Sequence, residues 1–434
     1  MAGGTWLTQN KTRPGAYVNT FSKGGANTTD TTRGVVALPI PLDFGPESQV
    51  IELTQTSDLT FLGYDLGNAK LLLLREAFKR AATVLLYRLG TGDKATKVEG
   101  SVTITALYGG TRGNAINVVS KASVDLVGSY EVETFLDGRS VDVQTVRTVE
   151  DLTSNRLVSF GGTGALSAFT TVLEGGTDST VTIQDYSDAF EKIQLFDFNT
   201  LALPVSDQAI KTAGRAFAKR LRDEEGKKCQ VVIAGYDSDD EVALNVKNGV
   251  VLTDGTVITP EQATVWVAAA SAAAGTAQSL TYTAYDDAVD VSPRLTNADT
   301  IEALKKGEFV FTEKRGKAVV EQDINSLHTF TSDKNKLFSK NRVLRALDDV
   351  ANYAKKLFED NYIGKVNNDV DGLEMFKSDM ITYFDSLQGV GAITNFEADD
   401  IEVLPGADKD AVLLNVALQP VDAMEKLYMT VEVV

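Results

Sequence analysis

From about Asp93 to Thr177 the chain loses its helix signals and fills with β-branched residues and glycines, while on both sides strand-like and helix-like runs alternate. Upstream, residues 32–38 read as a buried strand, 68–82 (NAKLLLLREAFKRAA) as a helix with Asn68 at its N-cap, and 83–89 as a strand. Strand, helix, strand at this spacing is an α/β unit. Inside the interruption, alternating runs at 98–107, 115–119, 129–135 and 141–146, with the turn pair Asp137-Gly138, predict a β-rich block. The α/β rhythm resumes at Ile183, with helices over 186–195 and 207–225 and strands over 200–204 and 228–235. A hairpin turning at Asp254-Gly255 follows, then an alanine-rich helix opened by Pro260. A second hairpin turns at Lys314-Arg-Gly316, and two helices follow over 341–362 and 372–386. The expectation is a multidomain α/β chain. Residues 1–30 form an arm, 31–92 and 179–299 an α/β core, 93–178 an inserted β-rich domain, and 300–434 a C-terminal α+β domain.

The chain's chemistry excludes more than it offers. The net charge of −18 over 434 residues argues against nucleic-acid and anionic-membrane partners, which select basic surfaces. The most apolar stretch, 265–274, is too short to span a bilayer. The opening, MAGGTWLTQNKTRPG, has no apolar signal-peptide core, so assembly in the cytoplasm is expected. A single cysteine, Cys229, sits in a strand-like run and reads as a core residue. A single histidine, His328, leaves no histidine to spare for a metal site or a nucleophile–base–acid triad. The cluster Gly161-Gly-Thr-Gly164 lacks the lysine of a phosphate loop. Asp237-Ser-Asp-Asp-Glu241 lacks the glycine and closing glutamate of a calcium loop and reads as a solvated loop with a capping Asp. No cofactor, metal or catalytic residue is expected.

Two features point to partners. Lys334, Lys336, Lys340, Arg342 and Arg345 crowd a helix start in an acidic chain, where cations oppose the helix dipole, so an acidic group is expected there. The chain ends are strand-like and isolated. Residues 16–21 follow the turn pair Pro14-Gly15, and 426–434 alternate to the last residue. A strand with an open edge pairs at long range or with another chain, and periodicity alone favours pairing within the subunit.

Gly3-Gly-Thr-Trp with Asn10-Lys-Thr-Arg-Pro-Gly-Ala-Tyr-Val-Asn19 resembles the opening of contractile-tail sheath proteins of the Gram-positive prophage and phage-tail-like bacteriocin type. The run 106–118 (ALYGGTRGNAINV) resembles that family's tyrosine, glycine-turn, Gly-Asn motif. Leu173-Glu-Gly-Gly-Thr-Asp178, Asp185-Tyr186 and Asn199-Thr-Leu-Ala-Leu-Pro204 resemble the opening of its central domain. The resemblance implies a subtilisin-like central domain without protease activity, an outward-facing inserted domain and an inward C-terminal domain. It implies hexameric rings of the subunit stacked helically around an inner tail tube, with baseplate and terminator or collar proteins at the ends, no nucleic-acid partner and no membrane insertion. It also implies that arm strands link neighbouring subunits, here Pro14, Gly15, Tyr17, Val18 and Phe21 at one end and Leu427, Tyr428, Val431 and Val433 at the other. The five-residue basic cluster becomes a candidate tube contact. The alternatives are another virion component, such as a tube or capsid-like protein, and an α/β hydrolase. The hydrolase would need a nucleophile elbow and base that the chain does not display.

Overall fold

The computed structural model describes residues 2–4, 15–17 and 33–433. They divide into two compact units. The first takes the described residues up to Leu38, Glu76–Val84, and residues 196–433; the second takes Pro39–Arg75 and Leu85–Leu195.

A seven-stranded sheet runs in the order Glu308–Phe309, Ala243–Val246, Gln230–Ala234, Thr200–Ala202, Val35–Pro41, Thr83–Leu89, Val50–Leu53. The first five strands pair in parallel. Gln230–Ala234 and Ala243–Val246 are buried at every position, as strands covered on both faces are. In the first unit the covering helices are Gln208–Glu224 and Pro260–Ala273. Asp207 caps the former, accepting from the Ala209 and Ile210 amides. Thr259 and Gln262 form a capping box on the latter, with Pro260 at its first position. Alanine lets this helix bury all round against the strands. Trp266 stacks on Tyr285 with ring centroids 4.4 Å apart, and Phe311 meets both edge-on. Cys229 is buried, as its neighbours in sequence imply.

The two expected hairpins of this unit are present: Gly249–Leu252 with Val257–Ile258, and Phe311–Glu313 with Ala318–Val320. The long helix Asn341–Leu357 continues through a wide turn at Phe358–Tyr362. It packs with Val370–Gly389 around Phe376, Met380, Tyr383 and Phe384. A two-stranded sheet, Ile401–Pro405 with Val412–Val416, lies on that core.

In the second unit two antiparallel sheets enclose one core. One has the order Arg139–Val146, Tyr130–Leu136, Ile116–Ala122, Phe169–Val172, and the other Val158–Gly162, Val102–Ala106, Thr96–Glu99. Val102, Ile104, Ile116, Val118, Val132 and Val158 alternate inward into that core. Asp137 and Gly138 both take positive φ at the hairpin tip, as the two-residue turn requires.

The run 106–118 explains itself in this unit. Gly110 has φ 123°, and a Cβ there would lie 1.9 Å from the Asp43 carbonyl oxygen. The Asp178 carboxylate accepts from the Thr111 amide at 2.8 Å and hydroxyl at 2.7 Å. Asn114 exchanges two 2.8 Å hydrogen bonds with the Gly176 backbone. Arg88, buried, donates to the carbonyls of Leu42, Gly45 and Gly109. Glycine, Asn and Asp are therefore demanded by close backbone crossings.

Candidate assembly interface

At the N-terminal end, Gly15–Tyr17 is a strand, but it pairs in parallel with Ala2–Gly4 of the same chain. The expectation that this segment lacks a partner close in sequence is corrected. Pro14, Val18 and Phe21 lie outside the described residues.

The C-terminal end is tied down in steps. The Ala417 amide donates to Asp400 O at 2.9 Å, and the Val421 amide to Ala392 O at 3.2 Å. Glu425 is then held by the Lys340 ammonium, by Gln322 Nε2 at 2.6 Å and by the Thr281 hydroxyl at 2.9 Å. Asp422 adds a second carboxylate 3.7 Å from Lys340. Burial alone would raise the Glu425 carboxyl pKa; the hydrogen bonds from Lys340 and Gln322 outweigh it and hold the group below the ordinary glutamate value. Past Glu425 the side chains face solvent, with Leu427 85%, Tyr428 89%, Val431 71% and Val433 93% exposed. Residues 426–433 form no strand within the chain, and the pairing expected for 426–434 is with another subunit. An isolated strand has no ladder to join, and none of the described residues supplies one.

The basic cluster is also corrected. Lys340 and Arg345 are buried rather than displayed. Arg345 donates to Asp323 Oδ2 at 2.6 Å and to Gln278 O at 2.7 Å. Lys334 pairs with Glu241. The acidic groups expected opposite these cations are the chain's own, which relieves their conflict with the helix dipole. Lys336 remains exposed and Arg342 half-buried. Of the expected solvated loop Asp237–Glu241, Asp237 is exposed and Asp240 accepts from the Val242 amide at 3.2 Å as a cap would, but Asp240 and Glu241 are buried and Asp240 pairs with Arg215 at 2.7 Å.

Among the described residues no constellation for catalysis assembles around His328. Its Nδ1 lies 3.0 Å from Ser326 O and 3.3 Å from Asp239 Oδ1, and Asp239 already accepts from the His328 and Thr329 amides. The arrangement fastens a loop. Among the described residues no group of three or more His, Cys, Asp or Glu could hold a metal ion, and no helix is long and apolar enough to cross a membrane. Sequence reasoning missed Glu425, Gln322 and Thr281. A lone acid inside Ala423-Met-Glu-Lys-Leu427 was the available signal, and its three donors are scattered over about sixty residues.

Comparison with known proteins covers nearly the whole chain. Residues 33–89 match the tail sheath protein Gp18 domain III N-terminal region, 81–178 the phage tail sheath protein beta-sandwich domain, 179–326 the phage tail sheath protein central domain, and 333–434 the phage tail sheath C-terminal domain. The phage-like element PBSX protein XkdK of Bacillus subtilis is 41% identical over 100% of both chains. The crystal structure of a sheath tail protein from Desulfitobacterium hafniense superposes with a TM-score of 0.86 at 45% identity, covering 96% of this chain and 99% of that one. The contracted helical sheath of the anti-feeding prophage shares the fold alone, with a TM-score of 0.57 at 13% identity over 98% and 99% of the two chains. Full-length identity, four sheath domains in order and an end-to-end superposition make this chain a member of the phage tail sheath protein family, a structural component of a phage or prophage-derived contractile tail and not an enzyme.

Proposed function

We propose that the subunit polymerises as stacked six-membered rings around an inner tail tube, and that contraction of this sheath drives the tube through a target cell envelope. Strand exchange between subunits holds the array together. The observation that carries this reading is the apolar tail beyond Glu425, exposed and unpaired, in a unit whose two-stranded sheet Ile401–Pro405/Val412–Val416 has two open edges. An open edge and an unpaired apolar strand are complementary halves of β-augmentation. Neighbours can therefore stay bonded through their arms while their globular parts re-pack, which gives a bistable array.

The finer organisation follows the same reading. The α/β core (31–92 with 179–299) is subtilisin-like, 93–178 is the outer domain, 300–434 the inner one, and 1–30 the second linking arm. Residues 14–21, including Pro14, Val18 and Phe21, also pair outside their own subunit in the assembled sheath, through the edge of Gly15–Tyr17 that does not face Ala2–Gly4. Within the basic cluster, Lys336, Arg342 and the partly exposed Lys334 are the tube contact. Baseplate and terminator or collar proteins complete the assembly, which forms in the host cytoplasm. The fold likeness to a sheath solved in a contracted state supports the contractile reading.

Deleting residues 427–434 tests the proposal. Truncated subunits are expected to fold, to keep the parent melting temperature, and to remain monomeric by light scattering and electron microscopy. Tubular polymers from the truncated protein would remove the tail from the linkage.

A further inference from the structure

Glu425 sits at the point where the chain changes character. Before it, residues are fastened to the body; after it, apolar side chains stand in solvent. Its three partners come from separate segments: the loop after the helix Pro260–Ala273, the end of the hairpin strand Ala318–Val320, and the start of the helix Asn341–Leu357. The Thr281 hydroxyl accepts from the Asp323 amide at 3.0 Å, which directs its own proton to Glu425 Oε1. Gln322 presents its amide donor and Lys340 its ammonium. Three donors, one of them charged and buried, converge on one carboxylate; without it the Gln322 amide and the Thr281 hydroxyl would lose this acceptor, and Lys340 would keep only the more distant Asp422.

We propose that Glu425 is the positioning residue of the C-terminal arm: the Thr281–Gln322–Lys340 clamp fixes where the arm leaves the subunit and how far it reaches. The proposal rests on the arm reading above. When the clamp opens, the next backbone tie upstream is the Val421 amide on Ala392 O. The four residues 422–425 then join the free segment and add roughly 13 Å of reach. A closed clamp delivers the tail at a defined distance and direction. An open one spreads it over a larger volume and lowers its effective concentration at the neighbour's edge.

The test uses the full chain with a nitroxide on Met424→Cys. Met424 is fully exposed and lies between the two ties. Cys229 does not compete for the label, being buried with its thiol pushed up to about 12 by that burial. In Glu425→Ala the label is expected to pass from restricted to fast motion, while the same label on Val124→Cys in the other unit is unchanged. Losing a charge-assisted clamp lowers its closed population by about tenfold or more, and the elongation rate is expected to fall with it at an unaltered melting temperature. Glu425→Gln, which keeps an acceptor oxygen, is expected to fall between. An unchanged Met424→Cys spectrum in Glu425→Ala overturns the clamp. A mobile label with normal elongation overturns its positioning role. The label reads the clamp in monomers, independently of the arm reading; polymerisation of the chain lacking 427–434 would defeat the arm reading and leave the label result standing.

Discussion

Single residues in this chain are constrained most tightly where backbone meets backbone. Gly110 combines a left-handed-side φ of 123° with a would-be Cβ 1.9 Å from Asp43 O. A methyl group cannot be accommodated by a side-chain rotation, because the obstacle is a carbonyl. Gly110→Ala is expected to destabilise by roughly 2–4 kcal/mol, the upper part of the range for point substitutions, and differential calorimetry checks it. Gly128→Ala serves as the comparison. It also has positive φ, but nothing lies within 4 Å of its Cβ, so its cost is conformational alone. The motif 106–118 was visible in the sequence as a glycine cluster, but its reason was not. The carbonyls that forbid a Cβ at Gly109 and Gly110 belong to Gly92 and Asp43, residues that local patterning does not bring near.

At the scale of elements, patterning succeeded where the cause was local. Both hairpins of the first unit, the Asp137-Gly138 turn, the Asn68 cap and the helix start at Pro260 all depend on residues within a few positions of each other. It failed for the tail, where a strand-like alternation has no partner among the described residues, and for the basic cluster, whose acidic partners are distant in sequence. The same distance hides a buried polar layer that the helix Asn341–Leu357 shares with the sheet's first unit. There Arg222 and Asp348 form a two-bond pair at 2.7 Å, and Arg33 meets Asp349 at 2.9 Å. Lys228 lies beside them with its ammonium on Arg222 O at 3.0 Å. Desolvation, aided by the Arg222 charge, lowers its pKa from 10.5 to about 8. A lysine with a depressed folded value binds its proton more weakly than the unfolded chain does. Its cost is therefore full below the folded value and fades as pH rises toward the unfolded one. Allowing for the lost bond to Arg222 O, Lys228→Met is expected to be more stable by about 1–2 kcal/mol at about pH 7, with a smaller margin at about pH 9.5. Urea titrations at the two pH values read this. A variant less stable at both would show that the ammonium is a net tie in the layer.

Across the whole molecule two terms oppose each other in assembly. The tail offers exposed apolar surface, which association would bury. The body carries a net charge of −18, so identical subunits repel. Repulsion between exposed charges is screened by salt, whereas apolar burial is not weakened by it. Raising sodium chloride from about 0.05 M to about 0.5 M shortens the screening length from roughly 14 Å to roughly 4 Å. Purified subunits are therefore expected to polymerise faster and from a lower threshold concentration at the higher salt, followed by light scattering. The Lys340–Glu425 pair does not reverse this trend, because both side chains are only 11% exposed and feel the salt weakly. The tail-deleted subunit supplies the decisive comparison. It keeps almost all of the charge but loses the apolar strand, so screening alone is not expected to assemble it. Equal salt-driven scattering from both proteins would mean that the faces of the globular units, and not the tail, supply the attraction.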